Sequence, residues 1–308
     1  MKKITTLIII LLLTTVKLFA QDKKYEEWYL TTKDTVEIFV KEIKGGNDTV
    51  IVVHGGFGAN HDYMLDAIKG LESKFHFILY DQRGSLMSPA PKEKLTFQKN
   101  VNDLFELVTE LKLKKVKLLC HSMGTLVGME FVKQHPEVIS NVVLCGAVIP
   151  KSDSSASVFS ERVTKQLDFL TTREEVNKLK QPLKDKRQLL SQKERTEYWR
   201  INYAAGNIYQ IKKWRLLKGG RSYYKTEPSL MTETLNWDYD YRSILNSYGK
   251  VTIIQGQFDF LDFNGEIYKS QILDYNSISY ITIPKAGHIS WVDQPTLFKK
   301  TLISGLTK

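Results

Sequence analysis

The chain has 308 residues, 42% of them hydrophobic and 11% aromatic, so it can bury a large core and is not a mainly disordered chain. Its 18 glycines and 8 prolines exclude collagen-like and low-complexity classes, and its 2 cysteines cannot build a disulfide framework. The formal net charge is +10, and the partners that this charge favours depend on where in the chain the excess lies.

Residues 1–20 have the pattern of a secretory signal peptide. Two lysines precede an apolar run from Leu7 to Leu13, and the small residue Ala20 precedes the polar sequence QDKK. The run is shorter than the about 20 residues that a membrane-spanning helix needs, so we expect cleavage and no stable membrane span afterwards. The sequence therefore predicts a mature protein that begins near Gln21 and is periplasmic or secreted.

After the leader, short apolar runs alternate with longer segments of helical periodicity. This alternation is typical of an α/β fold in which helices flank a mainly parallel sheet. Continuous apolar runs such as IVV and FILY suit strands that are covered on both faces. We assign residues 21–150 and 246–308 to this core. The predicted strands are Thr35–Val40, Thr49–Val53, Phe75–Tyr80, Val116–Cys120, Val142–Cys145, Val251–Gln255 and Ile278–Ile283.

Several predicted strands run directly into loops that carry glycines or reactive side chains. Because strand ends of one polarity lie at one edge of a parallel sheet, these loops should converge there. The first has the sequence HGGFG and ends at Gly58. Its glycines let the backbone approach a substrate closely, so we expect the Gly56 N–H to stabilise an oxyanion. Phe57 is the second choice as donor and a candidate substrate contact.

The sequence Cys-His-Ser-Met-Gly, from Cys120 to Gly124, connects another predicted strand to a helix. A serine on such a sharp turn is pushed out of the sheet, and the residues two before and two after it must be small. The adjoining helix N-terminus favours negative charge, and the N–H of Met123 can stabilise an oxyanion. The pattern predicts that Ser122 is a nucleophile, and the alternative is an ordinary serine N-cap.

Residues 151–245 differ from the rest of the chain, because they contain no convincing strand and many long polar segments with aromatic side chains. We interpret them as a helical insertion between two halves of the sheet. The segment holds 19 Lys and Arg against 12 Asp and Glu, an excess of +7, and the leader holds three lysines. The remaining mature chain is therefore neutral, and the basic insertion favours acidic substrates or an anionic surface.

A serine hydroxyl needs a base to take its proton and an acid to orient that base. Asp259 and His288 follow later predicted strands, which gives the chain order Ser, Asp, His. This order differs from the orders in the two familiar serine protease folds. Asp262 is the second candidate for the acid.

Together these motifs resemble those of the α/β-hydrolase superfamily, and within it the proline iminopeptidase branch of serine peptidases. HGGFG resembles that branch's HGGPG loop, DQRGS its DQRG signature, and AGHISWVDQP its histidine segment. The resemblance implies an α/β-hydrolase fold with a triad of Ser122, Asp259 and His288. It also implies that residues 151–245 form a helical cap, and that carboxylates of this cap hold a substrate's free amino group. Glu194 and Glu197 are the candidates, with exposed helix charges as the alternative.

Three departures from that branch leave the substrate open. Phe57 stands where the branch has proline, Leu86 where its DQRG motif continues with glycine, and Cys-His-Ser-Met-Gly where it has Gly-Gly-Ser-Trp-Gly. The last motif is more similar to those of esterases and lysophospholipases. We expect a serine hydrolase that cleaves an ester or amide in a small molecule or short peptide, as an aminopeptidase or as a carboxylesterase or lysophospholipase.

Other functions suit the sequence less well. HExxH, paired CxxC and dense His/Asp clusters are missing, so we expect no metal and no other cofactor. No nucleic-acid-binding motif accompanies the basic charge. Asp81 and Arg83 are expected to form a structural pair that braces the loops. A binding module that kept the fold and lost catalysis is the alternative from another functional class.

Overall fold

The computed structural model describes residues 25–152, 157–186, 189–220, 223, 225–274 and 276–308. The predicted signal peptide, residues 1–20, lies outside the described residues.

The described residues contain ten strands, eight of which form a single sheet. The strands are β1 (Tyr25–Thr31), β2 (Glu37–Ile43), β3 (Asp48–Val53), β4 (Phe75–Tyr80), β5 (Val116–His121), β6 (Ile139–Cys145), β7 (Lys151–Ser152), β8 (Tyr239–Asp240), β9 (Val251–Gly256) and β10 (Ile278–Ile283). The order in the large sheet is β1-β2-β4-β3-β5-β6-β9-β10. Within this sheet, β2 pairs antiparallel with β1 and β4, and all the other pairs are parallel. The predicted α/β fold with a mainly parallel sheet is confirmed.

The central strands are buried on both faces. In β3, Val50 and Val52 pack into one apolar cluster, and Ile51 and Val53 pack into another on the opposite face. Successive side chains of a strand point to opposite faces, so a strand covered on both sides is apolar at every position.

Helices cover the two faces of the sheet. The α-helices are α1 (Leu65–Ile68), α2 (Phe97–Glu110), α3 (Gly124–Gln134), α4 (Ser157–Thr172), α5 (Glu174–Lys186), α6 (Gln192–Asn207), α7 (Met231–Thr234), α8 (Arg242–Tyr248), α9 (Glu266–Gln271), α10 (Ser290–Asp293) and α11 (Pro295–Leu306). Short 3-10 turns occupy His61–Met64, Lys92–Lys94, Pro136–Val138, Ile211–Leu216, Glu227–Leu230 and Phe263–Gly265. None of the helices in the described ranges is long and apolar enough to cross a membrane.

The segment predicted as a cap, 151–245, is mostly helical where the structure describes it. It differs from the prediction in one respect, because β7 and β8 pair antiparallel near its two ends. Each of these strands has only two residues, which is too short to produce an alternating pattern in the sequence. The pairing of β7 with β8 brings the start and the end of the segment together.

Candidate active site

Ser122 lies in a tight turn between β5 and α3. Its φ is +53°, in the left-handed region, which costs a residue other than glycine roughly 1–2 kcal/mol. Its N–H donates a hydrogen bond of 3.0 Å to the carbonyl oxygen of Cys145, at the end of β6. This bond holds the turn against the neighbouring strand, and the Ser122 side chain remains partly exposed. Strain of this kind is maintained at sites where it serves a function.

Small residues make room for the turn on both sides. A Cβ on Gly124 would lie 2.4 Å from the carbonyl oxygen of His54, so no side chain fits there. The Cys120 side chain instead occupies space left by Gly128, where a Cβ would lie 2.5 Å from the cysteine sulfur. Gly128 therefore explains how a cysteine is accommodated two residues before Ser122.

His288 and Asp259 are in contact beyond the ends of β10 and β9. The Nδ1 atom of His288 lies 2.9 Å from Oδ1 and 3.0 Å from Oδ2 of Asp259. Both side chains are buried, and Asp259 Oδ1 also accepts a hydrogen bond of 3.0 Å from the N–H of Leu261. An acid in this position fixes the orientation of the imidazole and leaves Nε2 as the atom that can exchange a proton.

Asp262, the second candidate acid, has a different role in the structure. Its carboxylate accepts hydrogen bonds from the N–H groups of Ile267 (3.2 Å) and Tyr268 (2.8 Å) in the first turn of α9. Burial raises the pKa of this carboxyl group above its usual value. Asp262 thus stabilises the start of a helix, and Asp259 is the acid that contacts His288.

The glycine loop packs directly on the turn that holds Ser122. A Cβ on Gly55 would lie 2.5 Å from Cβ of Ser122, so only glycine allows this approach. Gly56 is exposed and has a φ of +51°. Within the described part of the chain, the N–H groups of Gly56 and Met123 donate to no protein acceptor. Both amides are therefore available to an incoming oxygen.

His54 fixes the start of this loop. Its Nε2 accepts a hydrogen bond of 3.0 Å from the N–H of Gln82, and its Nδ1 lies 2.9 Å from the carbonyl oxygen of Gly55. Burial lowers the pKa of His54, so the ring is neutral and donates from Nδ1.

The residues predicted to contact substrate lie in three different settings. Phe57 is buried, with its ring edge-on to Phe97 at 6.2 Å between centroids. Glu194 accepts hydrogen bonds from the N–H (2.9 Å) and the hydroxyl (2.8 Å) of Ser191 in a capping box at the start of α6, and it pairs with Lys186. Glu197 follows on the same helix and is partly exposed.

Asp81 and Arg83 were expected to pair with each other, but they bind different partners. Asp81 lies 2.7 Å from Nδ1 of His61. Arg83 donates two hydrogen bonds to Asp103, of 2.8 and 2.6 Å, and two to Asp34, of 3.0 and 3.2 Å. Sequence could not assign these partners, because His61, Asp103 and Asp34 lie 20, 20 and 49 residues away in the chain. Both residues still brace loops, as predicted.

The cap segment is joined to the loop that carries His288. The carboxylate of Asp293 accepts hydrogen bonds from three N–H groups, those of Gly287 (2.8 Å), Tyr209 (2.8 Å) and Gln210 (2.9 Å). The N–H of Ile289 donates to the carbonyl oxygen of Asn207 at 2.9 Å. The end of α6 and the residues after it are thereby held against the histidine loop.

The sequence did not identify Tyr63 or Asp293 as parts of the site. Tyr63 accepts a hydrogen bond of 2.6 Å from the N–H of Gly55, and its hydroxyl lies 2.8 Å from Nδ1 of His121. Asp293 belongs to the AGHISWVDQP segment, whose resemblance to the histidine segment of proline iminopeptidases could have identified it. Nothing in the local sequence distinguishes Tyr63 from other tyrosines.

The described residues do not suggest a metal site. Among the described residues, no group of three or more His, Cys, Asp or Glu side chains could hold a metal ion. Cys120 and Cys145 are free and buried, and burial raises the pKa of both thiols.

Curated relatives match parts of this chain. A protein of Agrobacterium fabrum, provisionally named a carbamate hydrolase, is 28% identical over 127 residues, which are 40% of this chain and 48% of that protein. The non-heme chloroperoxidase CPO-A1 of Kitasatospora aureofaciens is 33% identical over 41% of this chain and 46% of its own length. A proline iminopeptidase of Heyndrickxia coagulans is 33% identical over 32% and 35%. The chain thus spans less than half the length of each of these relatives.

Solved structures share the fold over nearly the whole chain. A proline iminopeptidase-related protein from Thermus thermophilus superposes with a TM-score of 0.66 at 18% identity, covering 92% of this chain and 97% of its own. An esterase from Exiguobacterium antarcticum gives 0.63 at 19% identity, covering 92% and 100%. The family model described as alpha/beta hydrolase fold matches residues 48–295. The chain therefore belongs to the alpha/beta hydrolase fold family, with the expected resemblance to proline iminopeptidases.

Proposed function

We propose that the protein is a serine hydrolase that cleaves an ester or amide bond through an acyl-enzyme. The main observation that supports the proposal is the contact of His288 Nδ1 with Asp259, at 2.9 and 3.0 Å. This contact lies at the edge of the sheet where β5 ends and Ser122 follows. The strained turn at Ser122 and the two available amides of Gly56 and Met123 support the same chemistry.

The steps follow from the chemistry of these groups. Ser122 Oγ attacks the substrate carbonyl carbon while His288 Nε2 takes the hydroxyl proton, and Asp259 stabilises the imidazolium that forms. The N–H groups of Gly56 and Met123 donate to the oxyanion. His288 returns the proton to the leaving alcohol or amine. Water then attacks the acyl-enzyme by the same route, and the acid and free Ser122 are released.

Inside this class, an aminopeptidase competes with a carboxylesterase or lysophospholipase. The relatives named above include a proline iminopeptidase, and an esterase shares the fold. Purified mature protein and its Ser122→Ala variant should be compared on proline 4-nitroanilide and on short 4-nitrophenyl esters. Turnover of the anilide that is lost in Ser122→Ala supports the peptidase, whereas turnover of esters alone excludes it. No turnover of any substrate by folded protein would favour an inactive binding module.

We infer a preference for acidic substrates from a cleft in the segment 151–245. A cavity of about 890 Å³ is lined by one face of α6, with Tyr198 and Trp199, and by the segment around Lys225. Arg195 and Lys225 contribute positive charge to it, and Glu227 contributes a negative one. The Lys225 N–H donates to the carbonyl oxygen of Gly58 at 2.9 Å, so this wall of the cleft touches the glycine loop.

Variants of the cleft test this preference. Arg195→Gln and Lys225→Gln should raise KM for an ester that carries a carboxylate by several-fold, about 1 kcal/mol for each lost charge, and leave a neutral ester unchanged. Lys178→Gln is a matched control, because Lys178 is an exposed cap lysine that pairs with Glu174 on α5. Equal effects on both esters would contradict the acidic preference.

We also propose export, since the pattern of residues 1–20 predicts a cleaved signal peptide. Expression of the full chain in a bacterial host, followed by fractionation and N-terminal sequencing, tests this. Periplasmic or secreted protein that begins near Gln21 is the expected result. Full-length protein in the cytoplasm would contradict it.

A further inference from the structure

Three hydrogen bonds connect the glycine loop to the histidine loop without passing through Ser122 or Asp259. The N–H of Gly55 donates to Tyr63 Oη at 2.6 Å, and Tyr63 Oη lies 2.8 Å from Nδ1 of His121. On the other side of the same ring, His121 Nε2 lies 3.2 Å from the carbonyl oxygen of His288. His121 is the residue immediately before the proposed nucleophile, so the chain of bonds passes beside Ser122.

The directions of these bonds are consistent with one another. Because Tyr63 Oη accepts from the Gly55 amide, its own proton is donated to Nδ1 of His121. His121 then carries its proton on Nε2 and donates it to the carbonyl oxygen of His288. Burial, reinforced by the adjacent His288, holds the pKa of His121 well below its usual value. The His121 ring is therefore neutral at neutral pH and carries a single proton. Burial also raises the pKa of Tyr63, so its hydroxyl stays protonated.

Packing holds the two rings in this arrangement. Trp291 stacks on Tyr63, with centroids 6.1 Å apart and an interplanar angle of 21°, and meets His121 edge-on at 4.8 Å. The rings of His121 and His288 are 4.5 Å apart. A Cβ on Gly146 would lie 2.9 Å from His288 Nδ1 and 3.1 Å from His121 Nε2, so nothing larger than hydrogen fits beside the two imidazoles.

We propose that Tyr63 and His121 are positioning residues, which hold the glycine loop and the His288 loop at a fixed separation on either side of Ser122. The inference rests on the proposed function, because the base and the oxyanion donors must act on one substrate carbonyl at the same time. Donors of this kind work only when they are held about 2.7–3.1 Å from the developing oxyanion. Neither side chain exchanges a proton with the substrate in this scheme.

The test measures the rate at which a fluorophosphonate labels the mature protein. This reaction needs both the base and the oxyanion donors, and it does not require that the substrate is known. Tyr63→Phe removes the hydroxyl and should slow labelling about tenfold, the effect of about 1.4 kcal/mol in the barrier. Tyr80→Phe is the matched control. Tyr80 is buried in β4, and among the described residues its hydroxyl has no hydrogen-bond partner, so labelling should stay within about twofold of wild type.

Variants of His121 examine the other half of the connection. His121→Phe should slow labelling about as much as Tyr63→Phe, and the double variant should be no slower than either single variant, because all three break one connection. His121→Gln keeps a side-chain N–H near the position of Nε2 and should recover most of the rate. If His121→Phe does not fold, Tyr63→Phe with its Tyr80→Phe control decides the question.

The outcomes separate this inference from the proposed function. Melting temperatures are measured for every variant, since a purely structural role would lower the melting temperature and leave the labelling rate unchanged. If the wild-type protein is labelled and Tyr63→Phe is labelled at the same rate, the positioning role is overturned and the proposed function is not. Folded wild-type protein that is not labelled overturns the proposed function, and the positioning role with it.

Discussion

At the scale of single residues, glycines set how closely the reactive groups approach one another. Gly55 lets the glycine loop reach Ser122, and Gly146 lies against the imidazoles of His121 and His288. Both positions exclude a Cβ for steric reasons, and Gly146 also has a φ of +51°. A methyl group at Gly146 would overlap with Nδ1 of His288, the atom that contacts Asp259.

Gly146→Ala should therefore slow fluorophosphonate labelling by a factor of about 100 or more, because the imidazole must move away from its acid. Gly70→Ala is the control for backbone strain. Gly70 has a φ of +85°, and no atom lies within 4 Å of an added Cβ there. The Gly70 variant should lose about 1 kcal/mol of stability and keep its labelling rate. Equal labelling rates in the two variants would contradict the geometry at Gly146.

Two buried histidines make stability depend on pH. Burial lowers the pKa of both His54 and His121 below the ordinary value of 6.5. At higher pH these rings are neutral in both the folded and the unfolded chain, so the contribution to stability is complete. Below about 6.5 the unfolded chain binds protons that the folded chain does not, and stability falls.

Urea unfolding between pH 8 and pH 5 should show this loss, with a slope of up to about 1.4 kcal/mol per pH unit for each histidine. His121→Gln should make the slope smaller by up to about 1.4 kcal/mol per pH unit, since one of the two buried histidines is gone. A free energy of unfolding that is constant from pH 7 to pH 5 would mean that the rings are not buried as described.

Residue chemistry and strand ends were enough to name Ser122, Asp259 and His288 from the sequence, and the structure places the last two in contact. The sequence ranked Asp259 first but kept Asp262 as a second candidate, because both follow β9 within a few residues. The choice depends on the start of α9, which engages the Asp262 carboxylate. Tyr63 was missed because its partners are separated from it by up to 58 residues.

At the scale of elements, one buried carboxylate binds both the histidine loop and the residues that follow α6. Asp293 binds the N–H groups of Gly287, Tyr209 and Gln210, and burial raises its pKa although these three bonds favour the charged form. A Cβ on Gly287 would lie 2.9 Å from the carbonyl oxygen of Asn207, which shows how closely the two segments approach.

Asp293→Asn should lower the free energy of unfolding by about 3 kcal/mol, because an amide cannot accept all three hydrogen bonds and leaves buried N–H groups unpaired. Limited proteolysis should also cut the cap segment faster than in wild type. Asp185→Asn, a change of an exposed acid on α5, is the control and should have little effect. Unfolding free energies of the two variants within about 0.5 kcal/mol of each other would contradict this role.

The strands that the sequence predicted differ in their surroundings from the strand β1, which it did not predict. The seven predicted strands lie where apolar side chains are buried, mostly on both faces. β1 was not predicted, since it is an antiparallel edge strand in which only Leu30 is fully buried. β1 is held by backbone hydrogen bonds to β2, which do not depend on the side chains. The strand can therefore form without an apolar pattern in the sequence.

At the scale of the whole molecule, the positive charge is unevenly distributed along the sequence. Residues 151–245 hold the excess of 19 basic over 12 acidic residues, and the rest of the predicted mature chain is neutral. A field of this kind raises the rate of encounter with anionic substrates and is screened by salt.

The value of kcat/KM for an ester that carries a carboxylate should therefore fall several-fold between about 25 and about 500 mM salt, over which the screening length shortens from roughly 20 to 4 Å. A neutral ester of the same size should change little over this range. If the two esters showed the same salt dependence, the basic cap would not attract substrate.

The central claim is that Ser122 is a nucleophile activated by His288, and covalent labelling tests it most directly. Mature wild-type protein is treated with a fluorophosphonate, and the adduct is located by peptide mass spectrometry. We predict one adduct per chain, on Ser122, and none in a folded Ser122→Ala variant. Folded wild-type protein without an adduct, or with an adduct on another residue that Ser122→Ala does not remove, would contradict the account.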